Sequence, residues 1–201
     1  MEQPQGNYYD KYASANIIES KMMDNFFKKL AECLDGISFH KVIECGMGEG
    51  NVAHYVKQRY HCEICGGDIG EDVVEIAKQK YPDIPARVMS IYDTQEKEGA
   101  YDLVLCCEVM EHLDEYRKGL EELLRISGRY VLISVPREPL WRFLNMCRFK
   151  YIKDWGNTPG HVNHWSKRSL LKLLSQYGTV VQVKSPLPWT MVLLEKQLGS
   201  D

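Results

Sequence analysis

The sequence predicts an α/β protein: an open parallel sheet with helices on both faces, finished by an antiparallel hairpin. Three observations carry this. Short apolar runs alternate with helically periodic stretches from residue 40 to residue 135, the β-α-β rhythm of a doubly wound sheet. The run Tyr101–Glu108 is nearly all apolar, as a strand covered on both faces should be. The last two strand-like runs, Thr179–Lys184 and Trp189–Glu195, are joined only by Ser185-Pro186-Leu187-Pro188, too short a link for a parallel crossover.

The elements follow in order. A polar arm carrying Tyr8, Tyr9 and Tyr12 opens the chain. Ile17, Ile18, Met22, Met23, Phe26, Phe27, Leu30, Cys33 and Leu34 then recur at helical spacing, and Gly36 stands just past the end, a normal stop position. His40–Cys45 reads as a buried strand and Asn51–Tyr60 as a helix. Cys62–Gly67 is the next strand, followed by a helix Glu71–Lys80 stopped by Pro82. Arg87–Ile91 and Tyr101–Glu108 read as strands, Leu113–Ile126 as a helix and Tyr130–Val135 as another buried strand. The rhythm breaks after Pro136: residues 137–163 are rich in aromatics and arginine and show weak periodicity. Ser166 then reads as the N-cap of a helix ending before Gly178.

At 201 residues with 44% hydrophobic and 26% charged residues, the chain fits one domain, 1–201, with an arm and helix at 1–36 and an insertion at 137–163. The net charge of −3 and pI of 6.1 give no overall pull toward nucleic acid or anionic membrane. No apolar stretch has the length of a membrane span and the first residues are too polar for a signal peptide, so a cytoplasmic location is expected. The seven cysteines are odd in number and sit mostly in strand-like runs, which favours reduced thiols. Cys62 and Cys65 form a lone CxxC without a second pair. Residues three apart on a strand face opposite sides, so a zinc reading is disfavoured.

Gly46, Gly48 and Gly50 directly follow a strand and precede a helix. Glycines there let the backbone turn sharply and approach a ligand, and the ligand should lie at the carboxyl ends of the strands. Dinucleotide sites use G-x-G-x-x-G to seat a pyrophosphate. Here the run is E-x-G-x-G-x-G, with Glu44 where a pyrophosphate would be repelled and no Walker-type lysine after it. A carboxylate there suits a ligand with a positive amino group. Asp68 ends the second strand, where a short carboxylate can accept bonds from both ribose hydroxyls.

These residues resemble a known family. VIECGMGEG is similar to motif I of the class I S-adenosylmethionine-dependent methyltransferases, GGDIGEDVVEIAK to their acidic motif II, and YDLVLCCEVMEHL to motif IV. GRYVLISVP is similar to the strand that follows. The resemblance runs in order from about Tyr8 to the C-terminus. It implies a seven-stranded, mostly parallel sheet with an antiparallel last strand, and S-adenosylmethionine as cofactor with S-adenosylhomocysteine as product. It also implies that Glu44, Gly46, Gly48 and Gly50 hold the methionine part, Asp68 the ribose, and Ile69 the adenine. Ser90, Ile91 and Tyr92 would flank the adenine edge, although many relatives have Asp where Ser90 stands. Cys107 and Glu108 would border the methyl-transfer site. A tight strand–helix turn without ligand explains the glycines but neither Asp68 nor the motif IV match.

Methyl transfer is an in-line displacement at a sulfonium carbon, so alignment supplies most of the catalysis and a general base helps when the acceptor is a hydroxyl. His164 is the first candidate for a base or substrate contact and His112 the second; His161 is a substrate-contact candidate. Packing or helix capping explains any one of these histidines equally well. Glu108, Glu111, His112 and His164 together resemble the E-x-x-E-H…H metal set of small-RNA 2′-O-methyltransferases and of ubiquinone-pathway O-methyltransferases. Many class I enzymes carry E-x-x-E-H without metal, so a divalent ion is not favoured.

The stretch after Pro136 sets Arg137, Arg142, Arg148, Lys150 and Lys153 among Trp141, Phe143, Phe149 and Tyr151. Relatives insert substrate-covering elements there, and Arg137 and Trp141 are its substrate candidates. Arginines with an aromatic wall suit an anionic or amphiphilic small-molecule acceptor. A solvated amphipathic helix explains the same pattern. The leading expectation is methyl transfer to a small molecule, at oxygen before nitrogen or carbon. An RNA or protein methyltransferase and a non-catalytic adenosylmethionine-binding protein are the alternatives. The acidic pI weighs against the first of these; the intact loop and Asp68 weigh against the second.

Overall fold

The computed structural model describes residues 17–147 and 151–197. The arm with Tyr8, Tyr9 and Tyr12, and the cations Arg148 and Lys150, lie outside the described residues. Five strands run parallel: β1 (Lys41–Cys45), β2 (Glu63–Asp68), β3 (Ala86–Val88), β4 (Tyr101–Cys107) and β5 (Ser127–Pro136). β6 (Gly178–Lys184) and β7 (Trp189–Lys196) form the expected antiparallel hairpin. β7 inserts beside β5, so the seven-stranded sheet has the order β3-β2-β1-β4-β5-β7-β6. Six strands point one way and β7 alone runs against them.

Alternation along the central strands builds two cores, one on each face of the sheet. Leu103, Leu105 and Cys107 of β4 join Leu132 of β5 and Leu193 of β7 on one face. There α1 (Ile17–Leu34) packs through Phe26, Leu30, Cys33 and Leu34, and α2 (Asn51–Tyr60) through Val52, Ala53 and Val56. α3 (Glu71–Lys80) adds Ala77 to this face. Val104, Cys106, Val131, Ile133 and Val192 face the other way. They meet α4 (Tyr116–Ile126) through Leu120, Leu123 and Leu124 and α6 (Lys167–Leu174) through Leu170, Leu173 and Leu174.

Three boundaries differ from expectation. The strand expected over Arg87–Ile91 ends at Val88, because Ser90 Oγ accepts the Tyr92 N–H at 3.2 Å and turns the chain out of the sheet. The helix expected from Leu113 begins at Tyr116; Met110–His112 instead form a single 3-10 turn and Leu113 is extended. The insertion contains α5 (Leu140–Cys147) and a 3-10 turn, Ile152–Asp154. Ser166 caps α6 as expected, its Oγ accepting the Ser169 N–H at 3.1 Å. All seven cysteines are free thiols, and no helix among the described residues is long and apolar enough to cross a membrane.

Candidate functional site

β1 lies between β2 and β4, and the chain order reverses between β1 and β4, so their carboxyl ends border the crevice where such sheets bind ligands. The loop leaving β1 is pinned to β2: Gly67 O accepts the N–H groups of Gly46 (2.8 Å) and Met47 (3.0 Å). The Asp68 carboxylate continues this, accepting from Gly48 N–H through Oδ2 (2.9 Å) and from Gly70 N–H through Oδ1 (3.1 Å). Gly46, Gly48 and Gly50 have φ of 75°, 52° and 81°, the left-handed region that glycine enters most easily. A Cβ at 46 would overlap the Val109 Cγ2 methyl, whereas a Cβ at 48 would meet nothing within 4 Å. Space therefore opens over Gly48, and Ile69, next in the chain after Asp68, is an apolar side chain 47% exposed.

Glu44 is buried rather than open to the crevice. Its Oε2 accepts the Ala53 N–H in the first turn of α2 at 2.8 Å, so it ties that helix to β1. Burial, with Asp68 adding like charge, pushes its carboxyl up to about 8. Ile91 packs inward with the core on the α4 face, close to the position a Cβ on Gly119 would take. The half-buried Ser90 and Tyr92 flank it on the chain.

β4 ends in Cys107, buried with its thiol raised well above its ordinary value by desolvation. Glu108 follows in the left-handed region with φ of 60°. Its N–H donates to Ser134 O (3.0 Å), its Oε1 accepts from Ser134 Oγ (3.1 Å), and its Oε2 accepts from the indole N–H of Trp189. The 3-10 turn that follows brings Val109 against Gly46, so the glycine loop and the His112 turn are neighbours.

The histidines sort differently from the sequence expectation. Gly160, at φ of 84°, lets the chain bend so that His161 turns inward. His161 is 6% exposed, its ring 4.8 Å from that of His112 and 6.0 Å from that of Trp141. Gly160 O lies 3.0 Å from His112 Nδ1. A carbonyl only accepts, so Nδ1 carries the proton and the acceptor lone pair is on Nε2. Glu111, His112 and His161 each offer one ligand atom, and these atoms lie within 4.8 Å of one another. His161, and not His164, thus completes that cluster, and Glu108 is gripped by Ser134 and Trp189 outside it. His164 is exposed and pairs through Nε2 with Asn157 Oδ1 at 2.8 Å; partial desolvation and then Arg142 lower its pKa.

Trp141 is half-buried on the inner side of α5, donating its Nε1–H to Thr158 Oγ1 at 2.9 Å. Arg137, at the end of β5, is half-buried; its N–H donates to Pro188 O (2.9 Å) and its O accepts from Trp141 N (2.9 Å). Trp189, Ser134 and Val109 enter the site without having been singled out from the sequence. The signal available for Trp189 was chemical: a tryptophan opening a buried strand needs a partner for its N–H.

The family model described as a methyltransferase domain matches residues 17–183. The ubiquinone biosynthesis O-methyltransferase of Acinetobacter baylyi is 27% identical over 113 residues, covering 52% of this chain and 47% of that protein. The protein of the same name from Proteus mirabilis is 31% identical over 131 residues, covering 61% and 53%. The chain thus spans about half the length of these curated relatives. Magnesium protoporphyrin IX methyltransferase from Synechocystis, solved with bound SAH, superposes with a TM-score of 0.68 at 16% identity, over 92% of this chain and 89% of that one. At that identity the likeness is one of fold.

Proposed function

The chain belongs to the class I S-adenosylmethionine-dependent methyltransferase family, and from that premise we propose that it methylates an oxygen of a small-molecule acceptor. One observation carries the reading: His112, on the turn whose Val109 abuts Gly46 of the glycine loop, packs its ring against that of His161 from the loop after Gly160. A proton acceptor therefore stands beside the cofactor crevice. The open space over Gly48, the exposed Ile69 face and the Asp68 carboxylate fit an adenosyl ligand. Held there, S-adenosylmethionine would supply an activated methyl group on a sulfonium, with S-adenosylhomocysteine as the leaving group.

The chain's own residues do the rest. The loop and Asp68 fix the donor side. His112, its Nδ1–H held by Gly160 O, takes the hydroxyl proton at Nε2. Trp141 and His161 form the wall against which the acceptor lies, and Arg137 stands at the end of β5 for an anionic group. The names of the two curated relatives, both O-methyltransferases, support oxygen over nitrogen.

The Glu111, His112 and His161 cluster supports a second reading, in which these residues hold a divalent ion that orients a hydroxyl pair. The test is mass spectrometry of hydroxylated small molecules and of RNA incubated with the enzyme and labelled cofactor, with and without EDTA. An O-methylated small molecule, formed equally in EDTA, is the expected product. EDTA-sensitive turnover selects the metal reading, and methylated RNA or an N-methylated product overturns the proposal.

A further inference from the structure

The three-residue turn that carries Glu111 and His112 is a weak element by itself. A single 3-10 turn has poorer hydrogen-bond geometry than an α-helix, no side chain caps its start, and the chain leaves it extended at Leu113. Its carbonyls need partners from elsewhere. Met110, Glu111 and Leu113 are all buried, so those partners must come from the protein.

The segment 160–163 supplies them. Glu111 O accepts the N–H groups of Val162 (2.9 Å) and Asn163 (3.0 Å), and any residue but proline at 163 would make the second of these. The Asn163 side chain adds what the backbone cannot. Its Nδ2 donates to Met110 O (3.2 Å) and to Leu113 O (2.6 Å), one on each side of the Glu111–His112 pair. Both partners are carbonyls and only accept, so the carboxamide is fixed with its NH2 group toward the turn.

The same segment completes the histidine geometry. Gly160 O lies 3.0 Å from His112 Nδ1, and the His161 ring packs 4.8 Å from the His112 ring. Both contacts require the turn and the segment to keep one separation, and the Asn163 carboxamide fastens the two at two points. Residue type matters here. Aspartate has the same shape and no donor, glutamine has the donors on a stem one methylene longer, and alanine has neither.

We propose that Asn163 is the positioning residue for His112: by clamping both ends of its turn to the Gly160 bend, it holds the ring in the Nδ1–H form with the Nε2 lone pair free for the acceptor proton. The catalytic consequence rests on His112 as the base; the clamp itself does not.

The first readout therefore needs no acceptor. Long-range proton–nitrogen NMR of the full chain, with the His112 signals identified by their loss in His112→Gln, should show one tautomer, Nδ1–H, in the parent. Asn163→Ala and Asn163→Asp should shift these signals to those of an exchanging mixture, while Asn163→Gln stays closer to the parent. A role in packing alone gives the opposite order, with Asn163→Asp benign and Asn163→Gln disturbed. That order would overturn the proposal, as would signals unchanged in all three variants.

The second readout is turnover. Asn163→Ala should lower kcat roughly 10- to 10²-fold, with S-adenosylhomocysteine affinity by calorimetry within about twofold of the parent. In the His112→Gln background the same substitution should cost less than about twofold, because residues that act through one group are not additive. Full additivity would overturn the proposal, since Asn163 would then act without His112. If His112→Gln alone leaves turnover unchanged, the base assignment falls, and the tautomer signals still decide whether Asn163 holds the ring.

Discussion

The indole N–H of Trp189 donates to the carboxylate of Glu108, 81 residues earlier in the chain, so the one strand that runs against the sheet holds the acid at the end of β4. Ser134 grips the other carboxylate oxygen at 3.1 Å. A residue kept in the left-handed region without being glycine needs such surrounding support. Trp189 is in turn packed by Phe26 at 5.4 Å and Trp141 at 6.1 Å between ring centroids.

Trp189→Phe keeps that aromatic packing and deletes the donor. A hydrogen bond to a charged group contributes about 1.5–3 kcal/mol, so the urea midpoint should fall by a corresponding amount. Turnover should fall with it, because Glu108 borders the crevice. A variant as stable and as active as the parent would show that the Trp189 contact is incidental.

The glycine loop separates two kinds of glycine. At 46 a methyl group meets both a positive φ and the Val109 side chain, while at 48 it meets a positive φ and open space. Left-handed backbone costs a non-glycine residue about 1–2 kcal/mol. Gly48→Ala should lose roughly that in chemical denaturation, yet bind S-adenosylhomocysteine much more weakly, since its methyl projects into the space assigned to the ligand. Gly46→Ala should lose distinctly more stability, and Val109→Ala added to it should restore part. Equal losses at 46 and 48 would contradict the packing described.

Much of this was legible beforehand. The central strands β1, β4 and β5 are mostly apolar runs between helical patterns, and strands covered on both faces leave little freedom in reading them, whereas the short, exposed edge strand β3 was read past its end at Val88. Gly46–Gly50 and Asp68 are set by local backbone needs and by register, since Cys45 pairs with Gly67. The contacts between Trp189 and Glu108 and between Val109 and Gly46 were not legible, because they join distant segments and leave no periodic trace. The exchange of His164 for His161 turned on one left-handed glycine, Gly160, and three-residue spacing in an irregular segment does not say which side chain faces inward. Glu44 looked like a ligand contact because its charge suits an amino group; burial and the Ala53 N–H give it a structural anchor as well.

That anchor has a pH signature. Burial raises the Glu44 carboxyl from 4.5 to about 8, so between those values the folded chain keeps a proton that the unfolded chain has released. Stability then falls as pH rises through this window and levels off above it. Gln at position 44 can still accept the Ala53 N–H but does not titrate. Glu44→Gln should therefore gain stability relative to the parent between pH 5 and pH 8.5, read as the difference in urea midpoints. A constant difference across that range would mean that Glu44 is ionised throughout.

The inner and outer histidines differ in surroundings. His161 is buried between His112 and Trp141, and His164 is exposed on Asn157. A group that takes a proton in the transition state is worth about 10²–10⁴-fold in rate, whereas an exposed substitution away from the site changes free energy by about 0.5 kcal/mol or less. Once an acceptor is in hand, His112→Gln should lower kcat by at least roughly 10²-fold with little change in S-adenosylhomocysteine affinity. His161→Gln should raise KM more than it lowers kcat, as a wall residue would, and His164→Ala should stay within about twofold of the parent. If His164→Ala proved the most damaging of the three, the base would lie on the outer side of the Gly160 bend, and the inner cluster would be reduced to packing.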